Sequence, residues 1–326
     1  MIRTAVARTL RTATANSRRM SSAAATPMPR ERMIALRAML DDASFSRPVR
    51  VLETHNGLTG LIAEHAAAPG PDGAERTFDA MWSSSLTAST SKGMPDIETV
   101  TTSERIELVR DTLACTTKPL IYDGDTGGHP AIFRFTVQKL EQVGVSACII
   151  EDKTGLKQNS LFGTDAKQEL EDIDDYCEKI KAGVDARIND EFMIIARMES
   201  LIAGWGEEEA LMRAQKSIAA GADAIMIHSK EKSPKEVLSF LAAYSKLETK
   251  VPVVTVPTTY NAITEEELYA AGSTIVIYAN HMLRAAYPAM NAVAESILTN
   301  SRSQEADSTL LPVKTIINMI EDNSGR

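Results

Sequence analysis

Three carboxylates stand where apolar runs of the chain end. Asp123 and Asp125 follow residues 120–122 and are separated by one glycine, and Glu151 follows residues 147–150. Short Asp-Gly-Asp strings often form simple turns. Three carboxylates that converged on one site would, however, repel one another unless a cation neutralised them. Hard oxygen ligands select Mg2+ or Mn2+, so we predict a divalent metal site at these three residues.

Two candidate cationic side chains end later apolar runs. Arg197 closes the run that begins at residue 192, and His228 follows residues 224–227. A planar guanidinium suits carboxylate or phosphoryl oxygens, so Arg197 is a candidate for binding an anion near the metal. Alternatively, Arg197 has a structural role and forms a buried ion pair with Glu199. For His228, donation to an anion and capping of the site remain equally open.

The apolar runs themselves predict the fold. Eight short runs, often β-branched, alternate with helix-length stretches: 49–52, 78–81, 120–122, 147–150, 192–196, 224–227, 253–256 and 274–278. Continuous apolar strands separated by helices are typical of parallel strands buried on both faces. Eight such units predict an α/β fold, a (β/α)8 TIM barrel, with its chemistry at the C-terminal ends of the strands. An open doubly wound sheet is the alternative, but no G-x-G-x-x-G follows the first run.

Composition limits the classes of ligand. The chain has 326 residues, with 35 Lys and Arg against 44 Asp and Glu, and a net charge of -9. No general positive field exists to hold nucleic acid or a membrane surface, so an anionic substrate must find its positive charge locally. Three cysteines without a C-x-x-C pair argue against a disulfide framework and a cysteine-built zinc site. No run approaches the length of a membrane-spanning helix.

The first 30 residues differ from the rest of the chain. They contain six arginines and no acidic residue, in a background rich in Ala, Ser and Thr. This composition is typical of an organellar presequence, and a disordered basic tail is the alternative. We predict mitochondrial targeting to the matrix by residues 1–30, with a cytoplasmic protein if the presequence is not real, and one barrel domain with C-terminal helices over residues 31–326. Loss of residues 1–20, with their five arginines, would change the net charge from -9 to -14.

The segment from Glu151 to Ser160, Glu-Asp-Lys-Thr-Gly-Leu-Lys-Gln-Asn-Ser, resembles the E-D-K-x5-N-S signature of the phosphoenolpyruvate mutase family, within the isocitrate lyase superfamily. Further segments that match the superfamily stand in the same order along residues 45–290. They are His55-Asn-Gly-Leu, Trp82-Ser-Ser-Ser-Leu86, Lys92-Gly-Met-Pro-Asp96, Asp123-Gly-Asp-Thr-Gly, Ala196-Arg-Met-Glu199, Ala203-Gly-Trp-Gly206 and His228-Ser-Lys230.

The resemblance implies Mg2+-dependent interconversion of phosphoenolpyruvate and phosphonopyruvate, the step that forms a carbon to phosphorus bond. It implies that Asp123 binds Mg2+ directly, with Asp125 and Glu151 acting largely through water. The resemblance also implies an apolar wall from Trp82 and an anion cradle from Ser84, Ser85 and Leu86. It implies phosphoryl contacts from Asn159, Arg197 and His228, a further substrate contact from Ser160, and a group near the reacting phosphorus from Asp96. Residues 153–162 would form a lid that carries Lys157 and Asn159 on its inner side.

Three alternatives to the mutase remain. A phosphonopyruvate hydrolase would share the site and differ in admitting water, and a non-enzymatic scaffold would not turn over substrate. An isocitrate or methylisocitrate lyase would carry a catalytic cysteine in the loop after the fourth run, where residues 151–163 contain none. The resemblance also implies a homo-oligomer, a dimer of dimers that exchanges the C-terminal helix, and a phosphonopyruvate decarboxylase as the following enzyme. His129 is expected to be an exposed loop residue.

Overall fold

The structure is a computed structural model, and it describes residues 26–155, 157–165 and 168–320. The chain divides into two compact units, one comprising Thr26–Asn280 and the other beginning at His281. The first 25 residues lie outside the described residues, so the predicted presequence stays a prediction. The described chain contains no helix that is long and apolar enough to cross a membrane.

Eight parallel strands form a closed barrel in the first unit, as the sequence predicts. Two further short strands, β2 and β3, lie outside it. In chain order the strands are β1 (Val49–Glu53), β2 (Ala67–Pro69), β3 (Glu75–Thr77), β4 (Ala80–Ser83), β5 (Leu120–Asp123), β6 (Ala147–Glu151), β7 (Met193–Met198), β8 (Ala224–Ile227), β9 (Val253–Thr255) and β10 (Ile275–Tyr278). Around the barrel, β1 pairs with β4 on one side and with β10 on the other, and each remaining barrel strand pairs with its neighbours in sequence.

The first helix precedes β1, and the others follow barrel strands and form the outer layer of the barrel. The helices are α1 (Pro29–Asp41), α2 (Gly57–His65), α3 (Ser85–Ser91), α4 (Thr102–Ala114), α5 (Pro130–Val143), α6 (Ile173–Ala186), α7 (Glu207–Ala219), α8 (Lys235–Tyr244) and α9 (Glu265–Ala270). Residues that commonly cap helices stand at their ends. Thr101 and Glu104 form a capping box at the start of α4, and Gly144 ends α5 in the left-handed conformation that glycine favours.

One region differs from the sequence prediction. The apolar runs predict no strand between residues 52 and 78, where the second strand is expected to begin. The structure instead forms the antiparallel hairpin β2–β3 before β4, with Ala67 paired to Thr77. Its residues are mostly exposed, so the alternation of buried and exposed positions that identifies a half-buried strand is absent.

The core fills the barrel interior, and α1 contributes to it at the N-terminal end of the strands. Alternate residues of the strands, such as Val51, Ile121 and Ile195, form one buried cluster that also includes Leu36 of α1. Since α1 begins at Pro29, the folded part of the chain starts within the segment 1–30 that the sequence interpretation assigned to the presequence.

The second unit is helical, as the sequence predicts for residues 281–297. It contains α10 (His281–Asn300), a 3-10 turn at Asp307–Thr309 and α11 (Val313–Ile317). No residue of α10 is buried. Large apolar side chains such as Tyr287, Met290 and Leu298 are exposed along it.

Candidate active site

The predicted chemistry gathers at the C-terminal ends of the barrel strands. Asp123 and Glu151 are the last residues of β5 and β6, Arg197 lies one residue before the end of β7, and His228 follows β8. A cavity of about 70 Å3 opens there. Eleven residues that the sequence predicts as site residues line it: Trp82, Ser84, Ser85, Leu86, Asp96, Asp123, Lys157, Asn159, Ser160, Arg197 and His228. The predicted metal ligands Asp125 and Glu151 are buried but do not line this cavity.

Asp123 is held by the N-terminus of α3. Its Oδ2 accepts hydrogen bonds from the backbone N–H of Ser85 at 3.0 Å and from the Ser85 hydroxyl at 2.7 Å. Burial alone would raise the pKa of Asp123, but the charges of Lys157 and of Arg105 and Arg197 outweigh it and keep this pKa far below its ordinary value. Asp123 is therefore ionised at neutral pH, as a metal ligand must be.

The anion cradle that the resemblance implies stays a prediction. The Ser85 N–H, one of its expected donors, donates to Asp123 in this structure. The cradle that remains consists of Ser84 and Leu86, both of which line the cavity. The Ser84 hydroxyl also accepts from the Thr87 N–H as the N-cap of α3, at 3.5 Å.

Asp125 lies behind Asp123 and is fixed by two cations. Its backbone has a φ of 53°, in the left-handed region that Asp tolerates better than most residues. Arg105 of α4 donates to its Oδ2 at 2.8 Å, and Lys157 donates to its Oδ1. The Arg105 guanidinium also stacks on the ring of Tyr122, 4.3 Å from its centroid.

Lys157 and Asn159, on the loop after β6, both reach Asp96. The Lys157 ammonium lies 3.0 Å from Asp96 Oδ1, and the Asn159 side-chain amide donates to Asp96 Oδ2 at 2.9 Å. Burial lowers the pKa of Lys157, but Asp125 and the neighbouring carboxylates raise it well above its ordinary value overall. The predicted inner-side residues of the lid and the predicted Asp96 thus form one contact group at the cavity.

Glu151 is the residue that best tests the predicted metal site. Its carboxylate is buried, and neither oxygen has a hydrogen-bond partner. The nearest cations are Lys153 at 3.3 Å and Arg197 at 3.4 Å. Burial raises the pKa of Glu151, against the opposing charges of Arg197 and Lys153. A buried carboxylate with unused acceptor sites fits a role as acceptor for metal-bound water.

The carboxylates do not form a ready cage of direct ligands. Among the residues the structure describes, no three His, Cys, Asp or Glu side chains lie close enough together to bind one ion directly. Mg2+ commonly keeps several waters and takes only one or two protein carboxylates. The donor set therefore fits Mg2+ with Asp123 as the direct ligand, and it fits a fully protein-coordinated ion poorly.

Arg197 and His228 form the cationic side of the cavity. The Arg197 guanidinium donates to the Ser160 hydroxyl at 2.8 Å and lies 2.9 Å from His228 Nδ1. It also forms an ion pair with Glu199, which is the structural alternative that the sequence left open. Arg197 lines the cavity as well, and its contact with an anion stays a prediction. Burial, reinforced by the charge of Arg197, lowers the pKa of His228 below its ordinary value despite the Glu199 carboxylate 2.9 Å away. His228 is therefore neutral at pH 7.

One minor prediction is confirmed. His129 is exposed and caps the start of α5, where its Nδ1 accepts from the Ala131 N–H at 3.2 Å. Cys148 is fully buried in the barrel wall. Burial, with the nearby Asp123 charge, raises the pKa of its thiol far above the ordinary value.

Several site residues escaped the sequence analysis. Lys153 lies inside the signature, and its ammonium joins the Ser160 hydroxyl at 2.9 Å to the carbonyl oxygen of Gln158 at 2.8 Å. Arg105 comes from a helix, where an arginine normally indicates a solvated face. The cavity is also lined by Leu161, Met226, Val256, Thr258, Ala279 and Asn280. Thr258 and Asn280 closely follow β9 and β10, so the expectation that site residues stand at the C-terminal ends of strands could have identified them.

Comparison with known proteins bears on this geometry. The family model described as phosphoenolpyruvate phosphomutase matches residues 36–298, most of the chain. The chain belongs to the phosphoenolpyruvate phosphomutase family. All predicted site residues of this family member lie within the matched range.

Similar proteins of this enzyme family include both mutases and hydrolases. A phosphonopyruvate hydrolase from Variovorax sp. (strain Pal2) is 39% identical over 294 residues, which cover 90% of this chain and 96% of the relative. A crystal structure of a phosphoenolpyruvate phosphomutase from Streptomyces platensis subsp. rosaceus is 38% identical, with a TM-score of 0.79 and coverage of 88% and 94%. A phosphonopyruvate hydrolase solved with oxalate and Mg2+ is 37% identical, with a TM-score of 0.76 and the same coverage.

Proposed function

We propose that the protein interconverts phosphoenolpyruvate and 3-phosphonopyruvate in a Mg2+-dependent reaction. The observation that carries this proposal is the contact group at the cavity, in which Lys157 and Asn159 both hold Asp96. These contacts place the loop after β6 against the cavity. A reaction that moves a phosphoryl group within one bound molecule needs such a cover, because water would otherwise intercept the group.

The reaction itself needs no co-reactant. In the synthetic direction the bond between phosphorus and the enol oxygen breaks, and a bond between phosphorus and C3 forms. The substrate and the product have the same atoms and electrons. The protein's task is therefore to stabilise charge and confine the phosphoryl group rather than to supply a strong base.

Asp123 is the residue we assign to direct Mg2+ binding, with Asp125 and Glu151 acting through water. A bound Mg2+ would supply Lewis-acid stabilisation of the pyruvate enolate. The unused acceptors on Glu151 and the ionised state of Asp123 support this assignment. Mn2+ satisfies the same donor chemistry.

The chain's own residues would handle the anion. Arg197 offers a guanidinium at the cavity wall, and the neutral His228 beside it can donate without adding charge. Asn159, Ser160 and the indole of Trp82 line the same cavity. We assign phosphoryl contacts to Arg197, His228 and Asn159, the enolate-facing wall to Trp82, and the carboxylate cradle to Ser84 and Leu86.

Phosphonopyruvate hydrolysis is the second candidate function. The 39% identical hydrolase relative favours it, and the same site would serve if water reached the phosphoryl group. A lyase that breaks a carbon–carbon bond is disfavoured. The loop residues 151–163 contain no cysteine, and the nearby Cys148 is fully buried with a thiol pKa raised by that burial.

Incubation of the purified protein with Mg2+ and phosphonopyruvate separates the two candidates. Phosphorus NMR should show phosphoenolpyruvate forming until equilibrium is reached. Accumulation of pyruvate and phosphate without phosphoenolpyruvate would establish the hydrolase instead. Omission of Mg2+, with chelator present, should stop either reaction. No turnover with Mg2+ present would favour the scaffold alternative.

Assembly and pathway are further parts of the proposal. The exposed apolar side chains of α10 support a homo-oligomer in which this helix is exchanged between subunits. Light scattering at micromolar concentration should give a dimer or tetramer, and a monomer would contradict it. Since the carbon to phosphorus bond forms uphill in this family, we also propose that a phosphonopyruvate decarboxylase removes the product.

Mitochondrial targeting by the N-terminal segment is proposed on composition alone. The structure adds a limit to where processing can occur, because α1 begins at Pro29 and contributes Met33 and Leu36 to the core. Cleavage should therefore precede Pro29. A fluorescent fusion of residues 1–28 should enter mitochondria, and a diffuse cytosolic signal would contradict targeting.

A further inference from the structure

The hydroxyl of Ser85 lies between two charged groups of the site. It donates to Asp123 Oδ2 at 2.7 Å and accepts from the Lys157 ammonium. We infer that Ser85 is a positioning residue that holds Asp123 in its metal-binding orientation and keeps the Lys157 ammonium from pairing with it. The inference deepens the proposed function, since it rests on Asp123 as the Mg2+ ligand.

The direction of both hydrogen bonds follows from the chemistry of the neighbours. An ammonium can only donate, and an ionised carboxylate can only accept. The single Ser85 proton must therefore point toward Asp123, and a lone pair must face Lys157. The hydroxyl has one satisfied arrangement, and the side chain is 3% exposed, so solvent offers it no easy substitute.

Ser85 also fixes which oxygen of Asp123 is available. Its N–H and its hydroxyl both donate to Oδ2. The other oxygen, Oδ1, accepts only a long contact from the Asp125 N–H at 3.3 Å. Two donors on Oδ2 thus leave Oδ1 as the acceptor with free capacity for a cation. Outer contacts of this kind commonly orient metal ligands.

The same hydroxyl separates Lys157 from the ligand. Lys157 pairs directly with Asp96 and Asp125, while its hydrogen-bonded link to Asp123 runs through Ser85. Removal of the hydroxyl leaves Oδ2 short of a donor and the ammonium short of an acceptor. These two groups carry opposite charges, so they would move together. An ammonium on Asp123 would then compete with Mg2+ for the ligand.

The test measures binding of Mg2+ alone, without substrate, by isothermal titration calorimetry on the full chain. Ser85→Ala should weaken Mg2+ binding by about 10-fold, in the range for loss of a ligand-orienting contact. Ser85→Gly, which removes the same hydroxyl, should behave alike. Ser91→Ala removes a hydroxyl from the other end of α3, where it bonds the Ala88 carbonyl at 2.8 Å, and should leave Mg2+ affinity unchanged.

The decisive comparison is with Lys157→Met. In that background the competing ammonium is absent and only the orienting contact is lost, so Ser85→Ala should weaken Mg2+ binding by clearly less than about 10-fold. Thermal unfolding of each variant without metal checks that it is folded. An unchanged affinity in Ser85→Ala, or the same 10-fold loss with and without Lys157, overturns the inference. Failure of the unaltered protein to bind Mg2+ would overturn the proposed metal site as well, and so is distinguishable from failure of Ser85 alone.

Discussion

The two ends of the barrel bury charge in different ways. At the N-terminal end, Arg32 of α1 is 2% exposed, and its guanidinium donates to the carbonyl oxygens of Lys118 at 2.7 Å, Leu113 at 2.9 Å and Thr116. At the C-terminal end, Glu151 is equally buried but neither of its oxygens accepts a hydrogen bond. Arg32 and Glu151 are equally buried. They differ in that the Arg32 guanidinium has its hydrogen-bond partners and the Glu151 carboxylate has none.

This difference separates a structural charge from a functional one. Among the described residues, the buried carboxylate oxygens that lack a partner belong to Glu53, Glu151 and Glu199, which lie at or just beyond the C-terminal ends of β1, β6 and β7. A buried acceptor without a hydrogen-bond partner is costly to the folded state. Because these carboxylate oxygens all lie at one end of the barrel, they fit a site that a ligand completes, as proposed for the metal. In (β/α)8 barrels that end carries the chemistry and the other carries stability.

Removal of the charge of Asp123 should have the largest effect at the C-terminal end. Asp123→Asn keeps the shape of the side chain and removes the charge that would bind Mg2+. We expect turnover of phosphonopyruvate to fall by at least about 1,000-fold, equivalent to about 4 kcal/mol. The midpoint of thermal unfolding should change little. A coupled assay and a thermal scan check both, and near-normal turnover would remove Asp123 from the metal site.

At the N-terminal end we expect the reverse: stability should fall, and turnover per folded molecule should not. Arg32→Met removes the guanidinium and leaves three backbone carbonyls without their donor. The free energy of unfolding should fall by about 3 kcal/mol, while turnover per folded molecule stays normal. Chemical denaturation measures this. The matched control is Arg30→Ala, because the ion pair of exposed Arg30 with Glu191 is screened by solvent and should contribute little to stability. Equal effects of both changes would contradict the proposed role of Arg32.

A smaller effect is expected from the loop that covers the site. Asn159→Ala removes the amide that donates to Asp96 and a proposed phosphoryl contact. Turnover should fall by about 10- to 100-fold, and the share of phosphonopyruvate converted to pyruvate and phosphate should rise as water gains access. The neighbouring change Gln158→Ala is the control and should preserve both rate and product ratio. An unaltered ratio in Asn159→Ala would argue against a role in excluding water.

The fold was predictable because its signal is local. Most barrel strands are apolar runs, and several are followed by or end in a residue of the site, so the eight strands and the positions of Asp123, Arg197 and His228 follow from sequence. The hairpin β2–β3 carries no such signal, because its residues are mostly exposed. Its pairing depends on the turn between the strands rather than on burial.

The sequence predicts which residues form the site better than it predicts the contacts among them. Arg105 reaches Asp125 from a helix 20 residues earlier in the chain, and the Ser85 N–H faces Asp123 instead of the cavity. Both depend on how a helix is placed against a strand end, which residue spacing does not specify. Sequence reasoning identified the carboxylates of the site, but it could not assign a cation to each of them.

The smallest predicted effect concerns pH and His228. Burial lowers the pKa of this histidine in the folded state, whereas in the unfolded chain it titrates near 6.5. The unfolded state therefore binds more protons below that pH. The contribution of neutral His228 is present above pH 6.5 and is lost as pH falls through the folded pKa. His228→Gln should reduce the stability difference between pH 7.5 and 5.5, measured by denaturant unfolding. An unchanged difference in His228→Gln would mean that the histidine is already charged at the site, and Arg197 would then face a second cation rather than a neutral donor.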